Sequence, residues 1–402
     1  MTQFVLGDLF DFSNGVNAGK DAYGSGIPFA NVLEVIANEG LRVSDIPGRM
    51  SLSGDLIRRY QVRRGDVLFN RSSETQDEVG ISSTYLDDAP IVFGGFVLRG
   101  RPKTAELVVE YSQYALRASD VRAQIIARGQ GGIRANIGQR DLATVSIVVP
   151  DTEIQRTIAQ RLDEAKELIR ALERLIAKKR LVRQGIMQQL LTGRTRLPGF
   201  DQAWVTRRIG DFTTAKAGGT PSTAISRYWH GDVPWMSSGE IHQKRITAVR
   251  GRITQDGLRE SAARLLPSGT VLMALAGQGK TRGTVAVSRI QLTTNQSIAG
   301  ILPSPTHDPD FLYYNLDTRY EELRGESTGD GGRGGLNLTI IKNLELVMPE
   351  LDEQKAISAV LSDADDELVA LERRLESARA VKQGMMQELL SGRTRLTEGA
   401  AA

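Results

Sequence analysis

Residues 183–197 read RQGIMQQLLTGRTRL, and residues 382–396 read KQGMMQELLSGRTRL. The two stretches lie 199 positions apart (382 − 183), and the same offset relates Pro150 to Pro349 and Gln155 to Gln354. A long, fixed-offset repeat decides architecture before any local reading does, because each copy must fold as the same unit. Ahead of those points the match loosens but keeps its order. Leu6-Gly7-Asp8 stands beside Ile209-Gly210-Asp211, Gly65-Asp66-Val67-Leu68 beside Gly269-Thr270-Val271-Leu272, and GQGGIRANI at 129–137 beside GDGGRGGLNL at 329–338. The chain is one module used twice, each copy with a variable front and a closely matched back.

The back reads as helix. Leu162, Ala165, Ile169, Leu172 and Ile176 step by three and four, and Leu361, Ala364, Leu368, Leu371, Leu375 and Ala378 do the same in the second copy. Both runs begin just after a proline with an acid near the start, Asp151 with Thr152 or Asp352, and both stop at a glycine, Gly193 or Gly392. Each is expected to be a helix of about 40 residues, roughly 60 Å long. A narrow apolar stripe on so long a helix needs another helix to cover it. The linker GRTRLPGFDQAWVTR spans only about 50 Å when fully extended. The second helix therefore covers the first by running back along it, an antiparallel pair with a front domain at either end and a near two-fold relation within one chain.

The front domains mix both kinds of segment. DVLFN, APIVFGGFVL, TVLMALA and TTNQSIAGIL read as strands, and YSQYALRASDVRAQIIAR and DPDFLYYNLDTRYEELRG as helices. The fold class expected is α+β.

Composition excludes several kinds of chemistry. The 402 residues contain no cysteine, so disulfides, thiolate zinc sites and a cysteine nucleophile are ruled out. The three histidines, His230, His242 and His307, form no helical i, i+4 pair and read as ordinary surface or core residues; no metal site is expected. No stretch approaches the ~18 consecutive apolar residues of a membrane span, and the start MTQFVLGDLF lacks the pattern of a secretion signal, which reads as a cytoplasmic protein. The formal net charge is +3, so any affinity for nucleic acid must come from local basic surfaces.

Three short motifs suggest enzymes, and their contexts argue against them. Ala274 to Thr281 fits a loose phosphate-binding loop, but RGTVAVSRIQ after it reads as a second strand where that loop requires a helix. Gly329 to Gly334 spells G-x-G-x-x-G, yet it follows a helical segment instead of a strand. Glu353-Gln-Lys355 imitates the acid-x-Lys of a nuclease, but it lies at a helix start, where an acid faces the helix dipole. No catalytic residue and no cofactor are expected.

With these features in place, the whole chain resembles the specificity (S) subunit of type I restriction-modification systems. The motifs that carry the resemblance are GGTPSTAISRYWHGDVPWMSSGEI at 218–241, GTVLMALAGQGKTRGTVAV at 269–287, TTNQSIAGILP at 293–303, PELDEQ at 349–354 and the two LLTGRTRL/LLSGRTRL helix ends. The first front domain matches less well: Gly94-Gly95-Phe96 stands where the second has Asn295-Gln296-Ser297, and a GGTPS stretch is missing. The resemblance implies target-recognition domains at 1–150 and 208–348, conserved helices at 151–192 and 349–392, a linker at 193–207 and a tail at 393–402. It implies a non-catalytic subunit that reads a bipartite, asymmetric double-stranded DNA site, one half per domain. The helices would space the domains and recruit two methyltransferase subunits, with two motor-nuclease subunits in the full complex. Candidate DNA contacts are Arg71, Ser72 and Arg134 in the first domain and Lys216, Thr220, Ser222, Lys280, Arg282 and Arg333 in the second. Gln184, Met187, Leu190, Gln383, Met386 and Leu389 at the helix ends are candidates for docking partners. Trp235 and Phe29, aligned after Pro234 and Pro28, read as core or loop anchors. The competing reading is a structural scaffold that spaces two protein-binding modules.

Overall fold

The structure, a computed structural model, describes residues 1–131, 134–277, 281–325 and 335–393. The chain divides into two compact units, residues 1–174 with 373–402, and residues 175–372. Two helices, Thr152–Leu190 and Leu351–Leu390, are 39 and 40 residues long, and each contributes one part to either unit. Gly193 and Gly392, just beyond them, adopt left-handed backbone at φ +68° and +69°, as helix-terminating glycines do. Among the described residues, no helix is long and apolar enough to cross a membrane.

Within each unit the helix segments run antiparallel. In the first, Ile158, Ala159 and Leu162 share a core with Leu389, and Glu173 pairs with Arg379 at 2.6 Å. In the second, Met187 and Leu190 share a core with Ile357 and Leu361, and Lys179–Glu367, Arg180–Glu372 and Arg183–Asp365 are ion pairs. The stripe residues carry the packing. The exposed charge pairs add under about 1 kcal/mol each.

Three sheets recur in both units. A five-stranded sheet in the first includes Phe10–Asn14, Val97–Pro102, Val67–Asn70, Ser82–Tyr85 and Gly40–Leu41 in spatial order; its counterpart runs Ala215–Ala217, Ile298–Ile301, Val271–Ala274, Val285–Ser288 and Arg245–Ile246. The middle strands are buried on both faces. Val271 and Met273 enter one core while Leu272 and Ala274 enter another, as Val67 and Phe69 do opposite Leu68. A strand covered on both sides reads as an unbroken apolar run, which explains VLMALA. A three-stranded sheet follows in each unit, with Tyr23–Ala30 or Trp229–Met236 at its centre, and a two-stranded pair joins Thr2–Val5 to Ser146–Val149 and Val205–Arg208 to Glu345–Met348.

The two stretches expected as single helices are each broken in two. Val109–Ala115 and Ser119–Arg128 flank Arg117, and Pro309–Thr318 and Tyr320–Gly325 flank Arg319. Both arginines use the break to donate to backbone carbonyls: Arg117 to Ser82, Val35 and Asn38, Arg319 to Glu345. Burial pushes the Arg117 guanidinium down to about 10.

The glutamine at each helix start locks helix to domain. The Gln155 amide donates to the Glu106 and Pro150 carbonyls and accepts from Val108 N–H, all at 2.8 Å. Gln354 donates to the Pro349 carbonyl and accepts from Asp308 N–H. Both side chains are buried and satisfied, which is why the same residue recurs at the 199-residue offset.

Candidate nucleic-acid interface

The strand expected after Thr281 is present: Val271–Ala274 and Val285–Ser288 are consecutive strands that pair antiparallel. This is strand–turn–strand geometry, and a phosphate-binding loop needs strand–turn–helix. Thr281 and Arg282 stand in that connection, both half-buried, with Thr281 Oγ1 3.4 Å from His242 Nε2. Lys280 lies outside the described residues, as does Arg333 with the rest of the GDGGRGG stretch.

The hairpin is tied to two further loops. Leu275 N–H donates to the Ser297 carbonyl, and Leu336 N–H to the Leu275 carbonyl. The 295–297 loop is in turn crossed by Gly218-Gly219, whose N–H groups donate to Ile298 and Thr294 carbonyls at 2.9 and 2.8 Å. A Cβ on Gly218 would stand 2.2 Å from the Asn295 carbonyl oxygen, so only glycine permits this crossing. Above it, the Thr220 hydroxyl donates to Gln296 Oε1 at 2.5 Å. Two indoles hold the loop from below: Trp235 Nε1 donates to the Gly219 carbonyl and Trp229 Nε1 to that of Ser222, both at 3.1 Å, with the rings edge to face. Lys216 and Ser222, on either side, are exposed.

The first unit repeats this geometry with other side chains. Arg71 N–H donates to the Phe96 carbonyl and Ile137 N–H to that of Arg71, the bonds that Leu275 makes in the second unit. Val16 N–H donates to the Phe93 carbonyl, and a Cβ on Gly15 would lie 2.1 Å from the Gly94 oxygen. Gly15 thus does the work of Gly218, in a segment whose sequence contains no GGTPS. Asn17 occupies the place of Thr220, with its Oδ1 directly over Gly95. Phe29, at the place of Trp235, packs edge to face with Tyr23 and is buried.

Arg71, Ser72 and Arg134 come together here. Ser72–Ser73 pairs with Ala135–Asn136, the Ser72 hydroxyl donates to Asn136 Oδ1, and Arg134 lies 3.7 Å from Glu74 in an exposed pair. Asn17 and Gln296 went unmarked in the sequence. The signal was a glycine after the first strand of each five-stranded sheet, weak in a chain with 41 glycines.

The helix-end candidates divide. Gln184 and Gln383 are exposed and Met386 is half-buried, whereas Met187, Leu190 and Leu389 are buried in the cores of their own units. The repeat there preserves intrachain packing at those three positions. Glu353 lies in the first turn of its helix, as expected of an acid at a helix start, and it has a second role. It is buried and bound by two Arg196 nitrogens at 2.6 and 2.7 Å, with Trp204 Nε1 at 3.2 Å. Its neighbour Lys355 lies beside Asp352 instead. Among the described residues, no group of three or more His, Asp or Glu side chains is arranged to hold a metal.

Residues 202–378 match the family model for the type I restriction modification DNA specificity domain. The type I restriction enzyme MjaIX specificity subunit of Methanocaldococcus jannaschii is 32% identical over 167 residues, a match that covers 40% of this chain and spans 38% of that protein's length. The putative type I restriction enzyme MjaX specificity subunit of the same organism is 21% identical over 405 residues, covering 95% of this chain and 91% of that one. Among solved structures, the type I restriction-modification S subunit from M. genitalium superposes with a TM-score of 0.60 at 16% identity, covering 98% of this chain and 96% of its own. The resemblance read from the motifs is borne out: the chain has the fold of S subunits, and residues 202–378 match the DNA specificity domain.

Proposed function

We propose that the chain is the DNA sequence-specificity subunit of a type I restriction-modification complex. Each front module reads one half of a bipartite, asymmetric duplex site, and the long helices that both units share carry the docking surface for two methyltransferase subunits. Two motor-nuclease subunits join in the full complex. The chain acts by binding, and the bond-making belongs to its partners. Exposed Arg71, Arg134 and Lys216 meet phosphates, which position the protein, while the polar side chains at the loop crossings face base edges, which specify the site.

One observation carries this reading. The same three-loop arrangement is built twice from the same backbone hydrogen bonds and is topped by different side chains, as expected of two readers of unlike half-sites. The test is an exchange of residues 1–150 for the first domain of another S subunit, followed by mapping of methylated bases in DNA exposed to the assembled methyltransferase. Only one half of the recognised sequence is expected to change; a change in both halves would sink the two-reader reading. A scaffold for protein-binding modules would instead show no sequence-dependent binding and no steep fall of affinity with salt.

A further inference from the structure

The two loop crossings differ in one chemically specific way. In the second unit the exposed carboxamide of Gln296 comes from the 295–297 loop and is held by the Thr220 hydroxyl through Oε1. In the first unit the equivalent of Gln296 is Gly95, and the carboxamide comes from the opposite loop as Asn17, exposed and standing over that glycine. Each crossing therefore carries one carboxamide, although the loop that supplies it has switched. A Cβ at position 95 would lie 1.8 Å from Asn17 Oδ1, so the amide here occupies the space that a side chain at 95 would take. Both units fill that point with the same functional group.

A carboxamide offers one acceptor and one donor side by side, which matches N6–H and N7 of adenine in the major groove. In Gln296 the Thr220 bond uses one of two Oε1 lone pairs and fixes the rotamer, leaving the second lone pair and both Nε2 hydrogens. We propose that Gln296 and Asn17 are the specificity-determining residues for an A·T pair in the second and first half-sites respectively, and that Thr220 is a positioning residue for Gln296. This rests on the DNA-reading function proposed above.

The test uses the full chain assembled with its methyltransferase and a duplex pool randomised across both half-sites. Gln296→Ala is expected to lose about ten-fold or more of its discrimination for adenine at one position of the second half-site, with the first unchanged. Gln296→Glu, which can only accept, is expected to move the preference at that position from adenine toward cytosine, whose N4 amine donates. Asn17→Ala is expected to relax one position of the first half-site only. Thr220→Val keeps the shape and is expected to give a smaller loss at the Gln296 position. If Gln296→Ala and Gln296→Glu select the wild-type sequence at every position, or if both lose affinity for all sequences alike, the assignment is overturned while the DNA-reading function stands. A wild-type complex without sequence preference would overturn both.

Discussion

In the first unit a half-buried glutamate, Glu39, lies between Lys166 and Lys382; in the second unit the equivalent ground is held by Asp365, paired with Arg183 and accepting from Tyr314, while Arg245 stacks 4.1 Å over Tyr313. The charges have been rearranged, yet the frame recurs: Leu275 repeats the backbone bonds of Arg71, Gly218 the close approach of Gly15, and Gln354 two of the three bonds of Gln155. The difference teaches which parts of a duplicated module are free to diverge. Backbone crossings and buried amides have one geometry that works, because a buried polar group left without a partner costs about 1–3 kcal/mol. Side-chain charge networks have many solutions, and so do exposed loop tops. Specificity can change there without disturbing the frame.

The comparison can be broken one unit at a time, because all three tryptophans, Trp204, Trp229 and Trp235, belong to the second unit and report on it alone. The largest effect is expected from the helix-start glutamines. Gln155→Leu orphans Val108 N–H and two carbonyls and is expected to destabilise the first unit by about 3 kcal/mol; Gln354→Leu, with fewer bonds lost, costs the second about 2 kcal/mol. Hydrogen exchange of first-unit amides and tryptophan fluorescence in denaturant give the two readings. Equal losses by both probes in either variant would show that the units do not unfold separately.

A middle-sized effect is expected from pH. His307 is buried, with Nδ1 on Ser304 Oγ at 2.7 Å, and burial pushes it from 6.5 down to about 4. The unfolded chain therefore binds a proton there between pH 6.5 and 4 that the folded chain does not. Above 6.5 the group leaves stability unchanged; as pH falls below 6.5 it removes up to about 1.4 kcal/mol per pH unit until about 4. The tryptophan-reported transition of the second unit should weaken over that window, and His307→Gln should flatten the dependence. The first unit contains no histidine and offers the control. An unchanged slope in His307→Gln would assign the acid sensitivity to carboxylates.

The smallest effect sharpens the match between the bulged strands. Trp229 and Val233 both pair with Ile253, as Tyr23 and Ile27 both pair with Met50. At the bulge the first unit has Gly24 at φ +108°, whereas the second has His230 at φ +64°. A left-handed residue other than glycine costs about 1–2 kcal/mol, partly offset by the freedom glycine gains in the unfolded chain. His230→Gly is expected to raise the second unit's melting temperature by about 2 °C. A fall would show that the imidazole makes a contact that outweighs the strain.

The long helices, their ends and the two-fold use of one module were legible, since all three rest on spacing along the chain. The hairpin after VLMALA was legible for the same reason. The breaks at Arg117 and Arg319 were not, because they are made by carbonyls far away in sequence, Val35 and Ser82 for one and Glu345 for the other. Glu353 was legible as a helix-start acid, but its ion pair was not, because its partner Arg196 lies 157 positions away. At the loop crossings Thr220 was marked because it sits in a recognisable glycine-rich stretch, while Asn17 sits in NGVNAG, where one glycine does the same work without a pattern to announce it. Spacing is visible in one dimension; close approach between loops is a property of three.

The first unit includes the helix segment from residue 373 to Leu390, whereas the second is one uninterrupted segment. On the ribosome, the strands and loops of residues 1–174 emerge long before the helix segment carrying Lys382 and Leu389. At about 5–20 residues per second the intervening 198 residues (175–372) take roughly 10–40 s to make. For that time the apolar side of Ile158, Ala159 and Leu162 has no Leu389 against it, and Glu39 has only one of its two lysines. The second unit, although made later, is the first to have all its parts. The half of the molecule that begins the chain is the last that can close.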